Sequence, residues 1–186
     1  PMALISKLAR LGTSDPVEPF TDPAPLVASI DFARFGRAPA RFDEAELLQL
    51  NARILHQTPY ATVRDRLSPA IDEAAWLAIR PNLSRLSEAQ DWTGVIAGQI
   101  DAAIAAEDRA FLGAAAEIAA TIDWAGDPWH ALTDALKTET GRKGKTLFLP
   151  LRLALTGRDH GPDMAALLPL ICKTRACARL LRAGGG

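Results

Sequence analysis

Cysteine is almost missing from this chain. Cys172 and Cys177 are the only two in 186 residues. They are too few for a disulfide framework, and their spacing matches neither a redox pair nor a zinc pattern, so a reducing cytoplasm is the expected location. Long apolar runs are missing too. Apolar residues make up 48% of the chain, enough for a core, but nothing approaches the roughly 18 uninterrupted apolar residues of a membrane span. A soluble protein with no membrane partner is expected. The N-terminal Pro1-Met2-Ala3-Leu4-Ile5-Ser6-Lys7-Leu8 lacks the basic start and long apolar centre of a signal peptide. It opens abruptly on helical residues, as if cut from a longer polypeptide.

The chemistry-bearing residues are equally sparse. The three histidines, His56, His130 and His160, fall on separate segments, and none forms a pair at metal spacing, so no metal site is expected. No glycine-rich loop precedes a basic helix, which argues against a phosphate-cradling nucleotide site. Ser14 has no His/Asp pattern that would make it a nucleophile. The acidic pairs Asp43/Glu44 and Asp72/Glu73 suit helix N-termini, where carboxylates oppose the positive end of the dipole. No catalytic residue is identified, and an enzyme site built from the histidines and nearby acids has no spacing in its favour.

What is present is helical periodicity and a lopsided charge. Residues 137–182 hold ten Lys and Arg against three acids, and the remainder holds eleven against nineteen. The basic end is thus +7 and the body −8, a footprint of phosphate binding at one end. No stretch alternates with a strand's two-residue period, so an all-α protein is expected. Helices are read at 2–10, from Asp43 to about 57, 60–67, after Asp72, 88–96, 107–122, after Asp127 to Gly141, 144–157, 162–171 and 174–183. Asp43 is the expected cap of its helix, with Glu46 as its capping-box partner. The proline-rich 13–41 leaves room for one brief helix near 26–30, and Gly184-Gly185-Gly186 is expected to be disordered. The four tryptophans are expected to anchor the core rather than stack on bases.

The stretch 144–157 is the most informative. Leu147, Leu151 and Leu155 recur every four residues, Phe148 widens the stripe, and Arg152 lies off it. Gly157 then ends the helix and releases Arg158-Asp159-His160-Gly161-Pro162-Asp163. An arginine beside such a turn suits a planar, polyanionic ligand.

Lys143-Gly144-Lys145, Pro150-Leu151-Arg152, Ala154-Leu155-Thr156-Gly157 and Leu167-Leu168-Pro169-Leu170 together resemble the distal anticodon-binding region of bacterial glutamyl-tRNA synthetases. The segment Lys173-Thr174-Arg175-Ala176 through Arg179-Leu180 resembles that family's last helix. Leu11-Gly12-Thr13-Ser14-Asp15-Pro16-Val17 resembles the stretch after its catalytic lysine loop, and Phe42-Asp43 with Leu50-Asn51-Ala52-Arg53 resembles the opening of its anticodon-binding bundle.

The resemblance implies two small helical bundles preceded by the end of a stem-contact segment, divided as 1–41, 42–125 and 126–186. It implies recognition of the tRNA(Glu) anticodon, with the catalytic domain of the same synthetase as the other partner and a monomeric state. ATP and Mg2+ would belong to that absent catalytic domain; the family's His-Ile-Gly-His-like and Lys-Met-Ser-Lys-Ser-like motifs are not in this sequence, so no cofactor and no activity are expected of this chain alone. Carried over, the anticodon-binding residues are Arg152, Gly161, Pro162 and Met164, with His160 added for its ring. His56 stands where some members place an arginine that tests the last anticodon base. Lys143, Lys145 and Arg158 are candidate phosphate contacts. Cys172 stands where the family commonly has glycine, and a side chain in a left-handed turn there would be strained. The alternative function is a stand-alone helical interaction module that binds protein, or RNA without specificity.

Overall fold

The structure is a computed structural model and describes residues 1–37 and 39–185. Among these residues there are eleven α-helices joined by short 3-10 turns and no strand, so the all-α expectation holds. The chain forms two compact units, 1–67 with 80–89, and 68–79 with 90–186.

In the first unit, α1 (Met2–Arg10) packs on α3 (Glu44–Leu55). Ala3, Leu50 and Ile54 form their shared core, with Met2, Val17 and Leu47 against it. Asp43 caps α3, accepting from the backbone N–H groups of Ala45 and Glu46. Glu46 is not a reciprocal capping-box partner, because its carboxylate accepts at 2.6 Å from Lys7, whose buried stem also brings its ammonium over Phe42. Between them lies α2 (Pro23–Ala28), the brief helix expected in the proline-rich stretch, slightly earlier in the chain and capped by Asp22. After α3 the chain continues in α4 (Tyr60–Val63) and a 3-10 turn, Arg64–Arg66.

The second unit holds α5 (Glu73–Ile79), α6 (Ala89–Ala97, from residue 90 onward), α7 (Arg109–Thr121), α8 (Pro128–Thr140), α9 (Lys145–Thr156), α10 (Met164–Ile171) and α11 (Lys173–Gly184). Trp76, Leu112, Leu132, Leu136, Leu147, Leu151, Leu155, Leu167, Leu168, Ile171 and Leu180 are fully buried. Helix α7 buries Phe111 and Leu112 in its first turn and Ala115, Ala116 and Ala119 after it, and α11 lies close against it where Gly113 meets Gly184. Gly184 belongs to this contact rather than to a disordered tail: a Cβ there would fall 2.8 Å from the Gly113 nitrogen. Gly186 lies outside the described residues.

Pro150 interrupts the hydrogen bonding inside α9, since it has no N–H to offer the carbonyl of Thr146. That carbonyl is satisfied by Arg142 Nη1 at 3.2 Å instead.

The two units interleave along the chain. Side chains decide this. Helix α5 packs on α10 and buries Trp76 and Ile79, whereas residues 80–89 are tied back to the end of α3: Asn51 donates to Ser84 O at 2.6 Å, Arg80 to Thr58 O at 2.9 Å, and His56 Nε2 lies 3.2 Å from Leu83 O.

Candidate nucleic-acid interface

Five of the sequence-designated residues, Arg152, His160, Gly161, Pro162 and Met164, and the candidate Arg158, come together where α9 turns into α10. Gly157 ends α9 in the left-handed conformation, with φ 69°. The Thr156 hydroxyl fastens the turn from within, donating to Arg152 O at 2.7 Å and accepting from Arg158 N–H at 3.1 Å. Asp163 closes it by capping α10 through the N–H of Ala165.

Arg152 is half-buried on α9. Its Nη2 donates to Pro162 O at 3.0 Å, while its Nη1 is buried without a hydrogen-bond partner among the described residues. Burial lowers the Arg152 pKa from the ordinary arginine value, and the Asp163 carboxylate opposes that shift.

The outer rim carries His160, exposed, with its Nδ1 on the Asp159 carboxylate; that hydrogen bond, before any other cause, holds Asp159 below the usual carboxylate range. Arg158 lies over the Trp92 ring at 4.8 Å and reaches Asp91 at 3.9 Å. Gly161, with φ 138°, sits against the same indole. Pro162 and Met164 are buried, Met164 to 2% exposure, and they hold the turn from below.

Lys143 and Lys145 flank Gly144 at the start of α9 and are exposed, and their side chains make no hydrogen bond or ion pair among the described residues. His56 belongs to the first unit, half-buried at the end of α3 and bonded to Leu83 O.

The +7 segment is less a solvated surface than its charge count suggests. Arg142 is ion-paired with Asp108 and lies 4.4 Å over Phe111. Lys137 pairs with Asp134. Arg175 donates to Ile96 O at 2.6 Å and Ile171 O at 2.9 Å, and Arg179 is 5% exposed. The sequence reading missed Trp92 as the floor of the turn and Arg175 and Arg179 as inward-facing. The sole sequence signal for the latter was a basic residue recurring every four positions on a helix that is otherwise apolar on that side.

Among the described residues no group of three or more His, Cys, Asp or Glu side chains gathers as a metal site would require. Among the described residues no helix is long and apolar enough to cross a membrane.

The chain is similar to known proteins. The family described as "Anticodon binding domain" matches residues 46–184. Glutamate–tRNA ligase 2 of Sphingopyxis alaskensis is 67% identical over 186 residues, which is all of this chain and 42% of that ligase. Glutamate–tRNA ligase 1 of Rhizorhabdus wittichii is 64% identical over 180 residues, 97% of this chain and 41% of that ligase. The crystal structure of a glutamate tRNA ligase from Elizabethkingia meningosepticum, in complex with its amino acid, superposes with a TM-score of 0.82 at 18% identity, covering all of this chain and 41% of that one. At that identity the superposition speaks for the fold alone. The chain belongs to the anticodon-binding domain family, and it is homologous to the C-terminal part of glutamate–tRNA ligases. It spans about two fifths of the length of the ligases it matches.

Proposed function

We propose that this chain binds the anticodon loop of tRNA(Glu) as a monomer, as the anticodon-reading part of a glutamate–tRNA ligase. ATP-dependent glutamylation, with its ATP and Mg2+, is assigned to the catalytic domain of the same synthetase, outside this chain. The observation that carries the reading is the end of α9 with the turn 157–163: Arg152, whose Nη1 has no hydrogen-bond partner among the described residues, is bonded to that turn through Pro162 O, and the turn carries an exposed imidazole. Anticodon bases are unpaired and can be splayed, stacked and read along their Watson–Crick edges. In this reading the Arg152 guanidinium donates to a base carbonyl or phosphate, the His160 ring stacks on a base, and Arg158, Lys143 and Lys145 take phosphates. Gly161, Pro162 and Met164 contribute by shaping the turn. His56 contributes from the first unit to the last anticodon base.

The test is binding of this chain to tRNA bearing a glutamate anticodon, beside the same tRNA with that anticodon replaced, at two salt concentrations. The expected result is salt-sensitive binding that falls on anticodon replacement and falls by about tenfold or more with Arg152→Ala, since a hydrogen bond to a charged group is lost. Equal affinity for both tRNAs would remove the anticodon-reading role. Salt-insensitive binding would point instead to an apolar protein partner.

A further inference from the structure

Arg179 lies on α11 at 5% exposure and forms no ion pair among the described residues. Burial, with Arg175 and then Arg182 adding repulsion, brings its pKa down to about 10, so it is still a cation at neutral pH. A buried cation without a carboxylate needs another source of negative potential.

Its hydrogen bonds show where that comes from. Nη1 donates to Leu155 O at 2.6 Å, and Nη2 to Gly98 O at 2.9 Å and Gly94 O at 3.4 Å. Leu155 is in the last turn of α9, and Gly94 and Gly98 belong to the last turn and exit of α6. The final carbonyls of a helix have no partner inside it, and each helix C-terminus carries about half a negative charge. Two such ends converging on one guanidinium amount to roughly one compensating charge. Arg175 adds a bond to Ile96 O, in the same turn of α6.

These two ends are the supports of the candidate interface. Helix α6 carries Trp92, on which Arg158 and Gly161 rest, and α9 ends where the 157–163 turn begins. The exit of α6 also meets that turn directly: a Cβ on Gly157 would lie 3.1 Å from Asp101 O.

We infer that Arg179 is a positioning residue for the 157–163 turn, tying the C-terminal end of α6, with its Trp92 floor, to the C-terminal end of α9. Its consequence for RNA rests on the anticodon-binding reading above. Its consequence for the turn does not. A lysine at 179 has the charge but not the planar fork that reaches two helix ends at once.

The test uses Arg179→Lys and Arg179→Met in the full chain, with Arg142→Ala as a control that removes a paired arginine away from these helix ends. The first readout needs no RNA: the ring-current shift that Trp92 imposes on the Gly161 α-protons. The second is affinity for tRNA with a glutamate anticodon. In both Arg179 variants the Gly161 shift is expected to move at least halfway to its unstructured value while far-UV helicity is kept, and tRNA affinity is expected to fall about tenfold. The control should leave the shift in place. An unchanged Gly161 shift in a folded Arg179 variant would overturn the inference. Unfolding of both variants would overturn it as well, because Arg179 would then hold the whole unit and not the turn. If the unsubstituted chain binds no tRNA, the anticodon-binding reading fails and the Gly161 shift still decides the role of Arg179.

Discussion

Gly161 and Trp92 are in contact so close that a Cβ on Gly161 would lie 2.5 Å from Trp92 Cη2. The indole is 5% exposed and belongs to the core, so it has no room to retreat. The backbone at 161, with φ 138°, is also in a region that side chains rarely adopt. Both effects act against any other residue there. Gly161→Ala is expected to cost about 1–3 kcal/mol and to weaken binding to tRNA with a glutamate anticodon. Denaturant titration and a binding isotherm check the two halves separately. Wild-type values in both would mean that the turn yields without consequence.

Cys172 shows the opposite case. It links α10 to α11 with φ 63° and ψ 155°, is exposed, and is the one non-glycine residue with positive φ among those described. This conformation is almost exclusive to glycine and costs a side-chain-bearing residue on the order of 1–3 kcal/mol. Glycine would relieve the strain while giving back about 0.4–1 kcal/mol through the freer unfolded chain. Cys172→Gly is therefore expected to raise stability by about 1 kcal/mol, seen as a higher denaturation midpoint with an unchanged slope. A lower midpoint would mean that the thiol's contact with Arg175, at 3.7 Å, outweighs the strain.

Asp127 caps α8, accepting from His130 N–H at 3.0 Å, with the His130 ring at 2.6 Å from its other oxygen. The backbone bond first, and then the side-chain bond, hold its pKa below the ordinary aspartate value. A depressed folded-state pKa means that the contribution is present above the unfolded-state value and is lost as pH falls through the folded one. Asp127→Asn keeps a capping oxygen but cannot titrate. The variant is expected to lose less stability than the parent below about pH 4 and to run parallel to it above. Parallel curves across the whole acid range would remove the role of this carboxylate.

Lys143 and Lys145 are exposed and unpaired among the described residues, unlike Arg142 beside them. If they take phosphates, replacing both with glutamine should reduce the steepness of log affinity against log salt by about one to two. Preference for the glutamate anticodon should persist, because phosphate contacts position RNA without reading it. An unchanged slope would place the RNA backbone elsewhere.

Much of the helical framework was legible because its signals are local. Asp43 and Asp127 each cap within three residues of where they stand, and Gly141 and Gly157 stop α8 and α9 through their own left-handed backbone. The stripe of Leu147, Leu151 and Leu155 had to face a core, and all three are fully buried. The strain at Cys172 was also readable, since it needed only a side chain at a helix joint. Met164 shows where local reading stops: its place beside the turn follows from sequence, but its burial to 2% follows from what packs over it.

By itself, then, the sequence determined the helices, their caps and stops, and the turn that gathers Arg152, Arg158 and His160, because capping bonds and apolar periodicity act over a few residues. Only the tertiary structure decided which arginines face inward, what floors the turn, and where the chain divides into units. Arg179 bonds a carbonyl 85 positions away, Arg175 one 79 positions away, and Trp92 meets a turn some seventy residues later. Such pairings are chosen by how helices pack and by the need of a buried charge for a partner, and no local pattern carries that information.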